Sequence, residues 1–121
     1  MKCEYDFKLE WYSVLNRNCF NCTENPDDCF KPHCVSANGY VRPIKTVNRI
    51  LPGPTIQTCL GDLIVVNVEN KLHTFESTTL HWHGLKQKGS VHMDGVGMIT
   101  QCWPLYRYLN SLKHLHFLLF Y

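Results

Sequence analysis

Two histidines that stand two residues apart are the residues of this chain best suited to chemistry. His81 and His83 flank Trp82 in the stretch TLHWHGLKQKG, residues 79–89. On a β-strand, residues i and i+2 project from one face about 6.6 Å apart, so both imidazoles can reach one metal ion or two neighbouring ions. Imidazole nitrogen suits copper, zinc, iron and nickel. The pattern therefore predicts a metal site, with Trp82 directed into an apolar layer on the opposite face.

Other histidines show how readily such a pattern arises without a metal. A second His-x-His, at His114 and His116, lies near the end of the chain. The isolated histidines are expected to be solvated side chains in loops, and these are His33, His73 and His92. For His81 and His83 themselves, the alternative is that both rings simply meet water.

Two familiar metal sites are excluded by residues that are absent. A cupin site would require a glutamate four or five residues after the second histidine, but the segment 86–88 is Lys-Gln-Lys. A blue-copper site would require a cysteine followed closely by a histidine and usually a methionine. Cys102 is followed by His114 only after eleven residues, and no methionine comes later.

The length and net charge of the chain limit the classes of protein to which it can belong. A chain of 121 residues with 45% hydrophobic residues predicts one folded domain with a core. A net charge of +2, with neither basic runs nor interleaved aromatic residues, argues against nucleic-acid binding. No segment approaches the roughly 20 apolar residues of a membrane span.

Seven cysteines indicate an oxidising compartment. Four of them crowd into CFNCTENPDDCFKPHC, and they are Cys19, Cys22, Cys29 and Cys34. The same stretch carries a candidate N-glycosylation site at Asn21. These features predict an extracellular protein, although MKCEYDFKLEWY is not a signal peptide. An alternative is a structural zinc site built from the four cysteines and His33.

Short extended segments separated by glycine and proline predict an all-β domain. Residues 3–11 alternate with period two, which predicts a half-buried strand in an N-terminal segment, 1–15. A Cys-rich loop, 16–39, follows. Further strands are predicted in YVRPIKTVNRIL, on both sides of a Gly61-Asp62 turn, in TTLHWHGL, and at the end of MDGVGMITQC. In the tail, leucines at three- to four-residue spacing indicate a helix, and they are Leu105, Leu109, Leu112, Leu115 and Leu119.

Three motifs carry a resemblance to a known family. LPGPTIQTCLGDLIVVNVENKL, TTLHWHGLKQKG and MDGVGMITQC resemble, in this order, the first cupredoxin (plastocyanin-like) domain of multicopper oxidases. With the Cys-rich segment before them, they look most like the insect laccases. The resemblance covers about residues 3–102. It implies a cupredoxin-like Greek-key β-barrel or sandwich, with a partial first cupredoxin domain over 40–102.

The resemblance also implies roles for individual residues. His81 would bind the type 2 copper and His83 a type 3 copper. The implied reaction oxidises phenolic substrates and reduces dioxygen to water. Asp94 matches a family aspartate near the water channel and would assist proton delivery, although it also suits a turn ahead of Gly95. Cys102 is implied to pair with a cysteine farther along the chain.

The remaining copper motifs of the family are missing from the sequence. The other three histidine-rich motifs and the type 1 copper cysteine are absent, and residues 103–121 form an atypical tail. We therefore interpret the sequence as a truncated laccase-like multicopper oxidase, incomplete at its C-terminus, and expect no oxidase activity from the chain alone. The other hypothesis is a secreted, non-enzymatic, disulfide-rich β module with weak or no copper binding.

Overall fold

The regular elements of the chain are β-strands and short 3-10 helices. The computed structural model describes residues 1–72 and 78–100, together with the backbone of residues 114–120. The strands are β1 (Lys2–Ser13), β2 (Pro43–Val47), β3 (Leu63–Asn70) and β4 (His114–Phe120), and the 3-10 helices are Arg17–Cys19, Pro26–Phe30 and Val91–Met93. The strands join in the order β2-β1-β3-β4. No α-helix occurs in the described residues, so the predicted all-β class is confirmed.

Strand β1 has the alternation that its sequence predicts. Phe7 and Leu9 are buried, whereas Lys2, Glu4 and Lys8 are exposed. The chain divides into two compact units, and β1 contributes to both of them: Met1–Phe7 with Ile56–Tyr121, and Lys8–Thr55. No helix in the described part of the chain is long and apolar enough to cross a membrane.

The first unit, which contains the histidine pair, is built around β3. Ile64, Val66 and Val68 are buried on one face of this strand, and Val65 is buried on the other. Branched apolar side chains on both faces favour a strand that is covered on both sides. β3 pairs antiparallel with β4, from Leu63 opposite Phe120 to Glu69 opposite His114.

The second unit contains the paired parts of β1 and β2 and the Cys-rich loop between them. β1 pairs antiparallel with β2, from Leu9 opposite Val47 to Ser13 opposite Pro43. Two disulfides close the loop, Cys19–Cys34 and Cys22–Cys29. Val35 of the loop is buried, and its carbonyl accepts from Leu15 N–H at 2.9 Å; Val14 is fully buried, and its backbone N–H donates to Arg42 O at 2.9 Å. The predicted disulfide-stapled loop is therefore confirmed.

Three predicted strands are wrong. Residues 53–59 have no regular structure, because Tyr5 and Gln57 bond through the tyrosine hydroxyl instead of through a strand ladder. Residues 78–82 are not a strand either, since their side chains bond to the backbone of the 94–95 turn. Residues 98–100 form a turn that Thr100 closes on Val96, and residues 101–102 lie outside the described residues.

The helix predicted from leucine spacing in the tail is wrong where the structure describes it. His114–Phe120 is a strand that pairs along β3. Pairing with a neighbouring strand outweighs a helical spacing that no capping residue supports. The predicted helix over 105–113 lies outside the described residues, as does His73.

Candidate metal centre

The two histidines of the HWH motif are neighbours at the surface of the first unit. The rings of His81 and His83 have their centroids 5.8 Å apart and stand nearly perpendicular, at 85°. Both residues are exposed, while Trp82 between them is buried, as predicted. A turn at residues 83–84 ends the extended segment, with Leu85 N–H donating to Trp82 O at 3.2 Å. The two imidazoles thus face solvent, whereas the Trp82 side chain is buried.

Asp94 fixes the orientation of His81. The Nδ1 atom of His81 lies 3.0 Å from the backbone carbonyl oxygen of Asp94 and 3.3 Å from its carboxylate Oδ1. A carbonyl oxygen can only accept, so Nδ1 carries the proton in this hydrogen bond. In the neutral form of the ring, the lone pair is then on Nε2, which is the nitrogen available to bind a metal.

The close approach of Asp94 depends on Gly95. The position where a Cβ would stand on Gly95 lies 1.6 Å from the carbonyl oxygen of Leu80, and the φ of Gly95 is +75°. Thr79 Oγ1 donates to Gly95 O at 2.8 Å from the same side. The segment 79–81 and the turn at 94–95 are therefore packed backbone against backbone. Only glycine allows this contact.

Asp94 also has the turn role that its sequence suggested. It ends the 3-10 helix Val91–Met93, with its backbone N–H donating to Val91 O at 3.2 Å. Because Asp94 closes this helix and bonds His81 through its carbonyl, the turn role and the contact with the imidazole are compatible.

The donor set suits copper as part of a larger site. Two imidazoles whose ring centroids are 5.8 Å apart fit one ion or two adjacent ions. Among the described residues, no group of three or more His, Cys, Asp or Glu side chains is placed to hold a metal. The zinc site considered for the Cys-rich loop is wrong, because all four of its cysteines are in disulfides.

Sequence reasoning identified the histidines and Asp94 but missed what joins them. Thr79 and Gly95 were not singled out as positioning residues, although an Asp-Gly turn was a usable signal. The isolated histidines His33 and His92 are exposed, as expected, although His92 lies in a 3-10 helix. His116 is in β4, and Cys102 lies outside the described residues.

The comparisons with a family model and with known enzymes agree with one another. The family model described as "Multicopper oxidase" matches residues 30–104. Laccase-2 of Cryptococcus neoformans var. grubii is 41% identical over 97 residues, which cover 80% of this chain and 15% of that protein. L-ascorbate oxidase of Cucumis sativus is 41% identical over 73 residues, which cover 60% of this chain and 11% of that enzyme. The chain thus spans a small part of these relatives.

The fold agrees with a solved structure. The crystal structure of Fet3p, a multicopper oxidase that functions in iron import, superimposes with a TM-score of 0.66 over 99% of this chain and 18% of that one. The sequences are 22% identical. This likeness confirms the cupredoxin-like fold class. The predicted likeness to insect laccases in particular stays a prediction.

Proposed function

Because the chain belongs to the multicopper oxidase family, we propose that it is part of a laccase-like enzyme that oxidises phenols and reduces dioxygen to water. Copper is the cofactor of this family. When bound, copper supplies the one-electron redox chemistry that joins phenol oxidation to dioxygen reduction. We propose that His81 binds the type 2 copper and His83 a type 3 copper.

The orientation of His81 is the observation that supports this proposal best. Its Nδ1 is held at 3.0 Å by the Asp94 carbonyl, so Nε2 is directed away from the protein backbone that fixes the ring. An outer partner of this kind sets the tautomer and ring plane of metal-binding histidines in general. A solvated surface histidine does not require a carbonyl partner on Nδ1, whereas a metal-binding histidine commonly has one.

Asp94 has a second task in the proposed enzyme. Its carboxylate Oδ1 lies 3.3 Å from the imidazole of His81, and its side chain is 23% exposed. A partly exposed carboxylate can take a proton from water and release it beside the histidine. Each oxygen atom of dioxygen leaves as water, so the reaction consumes protons at this place. We assign Asp94 to proton delivery.

We also propose an extracellular location and a set of domain boundaries. Two disulfides in the Cys-rich loop fit an extracellular protein. Residues 1–15 and 16–39 would precede a cupredoxin domain over 40–102, followed by the tail 103–121. Dioxygen and a phenol are the proposed reactants, with neither nucleic acid nor a membrane as partner.

Copper titration of the purified chain tests the ligand assignment. We expect Cu²⁺ to bind the chain with nitrogen hyperfine structure in its electron paramagnetic resonance spectrum. His81→Ala and His83→Ala should each weaken binding about tenfold or more, because each removes an imidazole ligand.

His33→Ala is the matched control, since this exposed histidine lies in the second unit. It should leave copper affinity unchanged. Unaltered binding in both His81→Ala and His83→Ala would contradict the assignment and favour the non-enzymatic disulfide-rich module.

A further inference from the structure

Two cysteines outside the Cys-rich loop approach the same carboxylate. Cys3 lies in β1 and Cys59 in the segment before β3, and neither forms a disulfide in the structure. Cys3 Sγ is 3.6 Å from Asp62 Oδ2, and the backbone N–H of Cys59 donates to the same oxygen at 3.0 Å. Both residues therefore have an atom within 3.6 Å of one oxygen, although 55 residues separate them in the sequence.

The backbone around these cysteines is anchored on both sides. Two residues after Cys3, the Tyr5 hydroxyl donates to Gln57 O at 2.7 Å and accepts from Gln57 N–H at 3.1 Å. On the other side, Leu63 N–H donates to Met1 O at 2.8 Å. The two cysteines lie between these anchors, which join the two segments that carry them.

The two thiols differ in their access to solvent. Cys59 is exposed and Cys3 is half-buried. Burial, and then the negative charge of Asp62, raise the pKa of the Cys3 thiol. Since the thiolate is the reactive form, Cys59 is the thiol that meets a soluble oxidant first, and Cys3 is the thiol that reacts second.

We propose that Cys3 and Cys59 are a disulfide-forming pair that fastens the start of β1 to the turn before β3. With oxidised glutathione as the oxidant, the Cys59 thiolate attacks one glutathione sulfur and releases one reduced glutathione. Cys3 then loses its proton, attacks Cys59 Sγ and releases the second. Two protein thiols lose two electrons and two protons, and one glutathione disulfide becomes two thiols.

Asp62 links this pair to the fold of the first unit. It is buried and accepts from the Cys59 backbone, so the turn is held in place before any disulfide exists. A preformed geometry of this kind favours ring closure over attack by a second glutathione molecule. Ring closure should become faster as pH rises, because Cys3 must first lose its proton.

Cys102→Ser provides the test, because it leaves Cys3 and Cys59 as the free thiols beside the two disulfides of the loop. After incubation with oxidised glutathione, thiol titration should fall from two equivalents to none. Mass spectrometry of a non-reduced digest should show a Cys3–Cys59 cross-linked peptide. The Tm should rise on the order of 10 °C above that of the Cys3→Ser, Cys102→Ser chain.

The single variants separate ring closure from simple thiol modification. The Cys3→Ser, Cys102→Ser chain should stop with one glutathione on Cys59. The Cys59→Ser, Cys102→Ser chain should react more slowly, through the half-buried Cys3. The proposal is overturned if the Cys102→Ser chain keeps both thiols, or carries glutathione on both cysteines without a cross-link.

Discussion

Gly95 determines whether the His81 imidazole can reach its carbonyl partner. A methyl group at this position would overlap the carbonyl oxygen of Leu80, and the φ of +75° adds strain for any other residue. We expect Gly95→Ala to lower the free energy of unfolding by at least about 2 kcal/mol. Copper affinity should fall as well, although no ligand is changed, and a calorimetric titration measures this.

Gly97→Ala is the control for that substitution. A Cβ on Gly97 would meet no atom within 4 Å. This variant should retain the stability of the wild-type chain within about 0.5 kcal/mol, together with its copper affinity. Equal copper affinity in the two glycine variants would show that the contact with Leu80 does not position His81.

Asp28 makes the Cys-rich loop sensitive to acid. The Lys31 ammonium, aided by the Asn21 backbone N–H, holds the pKa of the Asp28 carboxyl below its ordinary value of 3.8. A carboxylate whose folded pKa is lowered stabilises the fold above its unfolded pKa, and this contribution is lost as pH falls through the folded pKa. Asp28→Asn should therefore reduce stability at pH 7, and the difference from wild type should shrink below pH 3.8.

Chemical denaturation at a series of pH values measures this difference. The exposed neighbour Asp27, changed to Asn, is the matched control and should behave like the wild type at each pH. A stability difference for Asp28→Asn that is constant from neutral to acid pH would contradict a role for the carboxylate charge.

At the scale of elements, the two disulfides of the Cys-rich loop should contribute unequally. Cys19–Cys34 spans 15 residues and Cys22–Cys29 spans 7. Chain-entropy arguments give about 3 kcal/mol for the longer loop and about 2 kcal/mol for the shorter one. Replacing both cysteines of each pair by serine should follow this order in urea unfolding. The opposite order would mean that packing around Cys22, rather than loop closure, dominates.

Elements with a clear local period were predictable from the sequence. The alternation in β1 and the branched run in β3 follow directly from residue types, because burial selects them position by position. The segment around His81 was not predictable as it stands. Its extended residues have the composition of a strand, but Thr79 and His81 bond to a turn that lies 13 to 16 residues farther along the chain. No local pattern encodes contacts of that range.

The metal site at His81 and His83 stays a prediction, but its two histidines are neighbours in the structure. The proximity of His81 and His83 was expected from strand spacing, yet the structure brings their rings together on an extended segment that ends in a turn. The HWH motif places the two imidazoles next to each other, and the Asp94-Gly95 turn orients the ring of His81. That orientation depends on the tertiary structure.

At the scale of the whole molecule, copper binding and turnover should separate. The described residues bring two imidazoles together and no third ligand, so they do not make a complete copper cluster. We expect the copper-loaded chain of 121 residues to oxidise a diphenol no faster than the same concentration of free Cu²⁺. Oxygen consumption measures this, and turnover clearly above free copper would contradict the expectation.

The length of the loop between His81 and Asp94 does not determine the position of His81, because contacts join the two ends of this loop. The hydrogen bond from His81 to Asp94 and the packing of Gly95 on Leu80 hold the two ends together. The tip at Lys88 and Gly89 is exposed and turns on itself, with Ser90 N–H donating to Gln87 O. An insertion at this tip adds only slowly growing closure entropy. Related chains can therefore differ in the length of this loop, and in the access of substrates to the imidazoles, while the position of His81 relative to Asp94 stays constant.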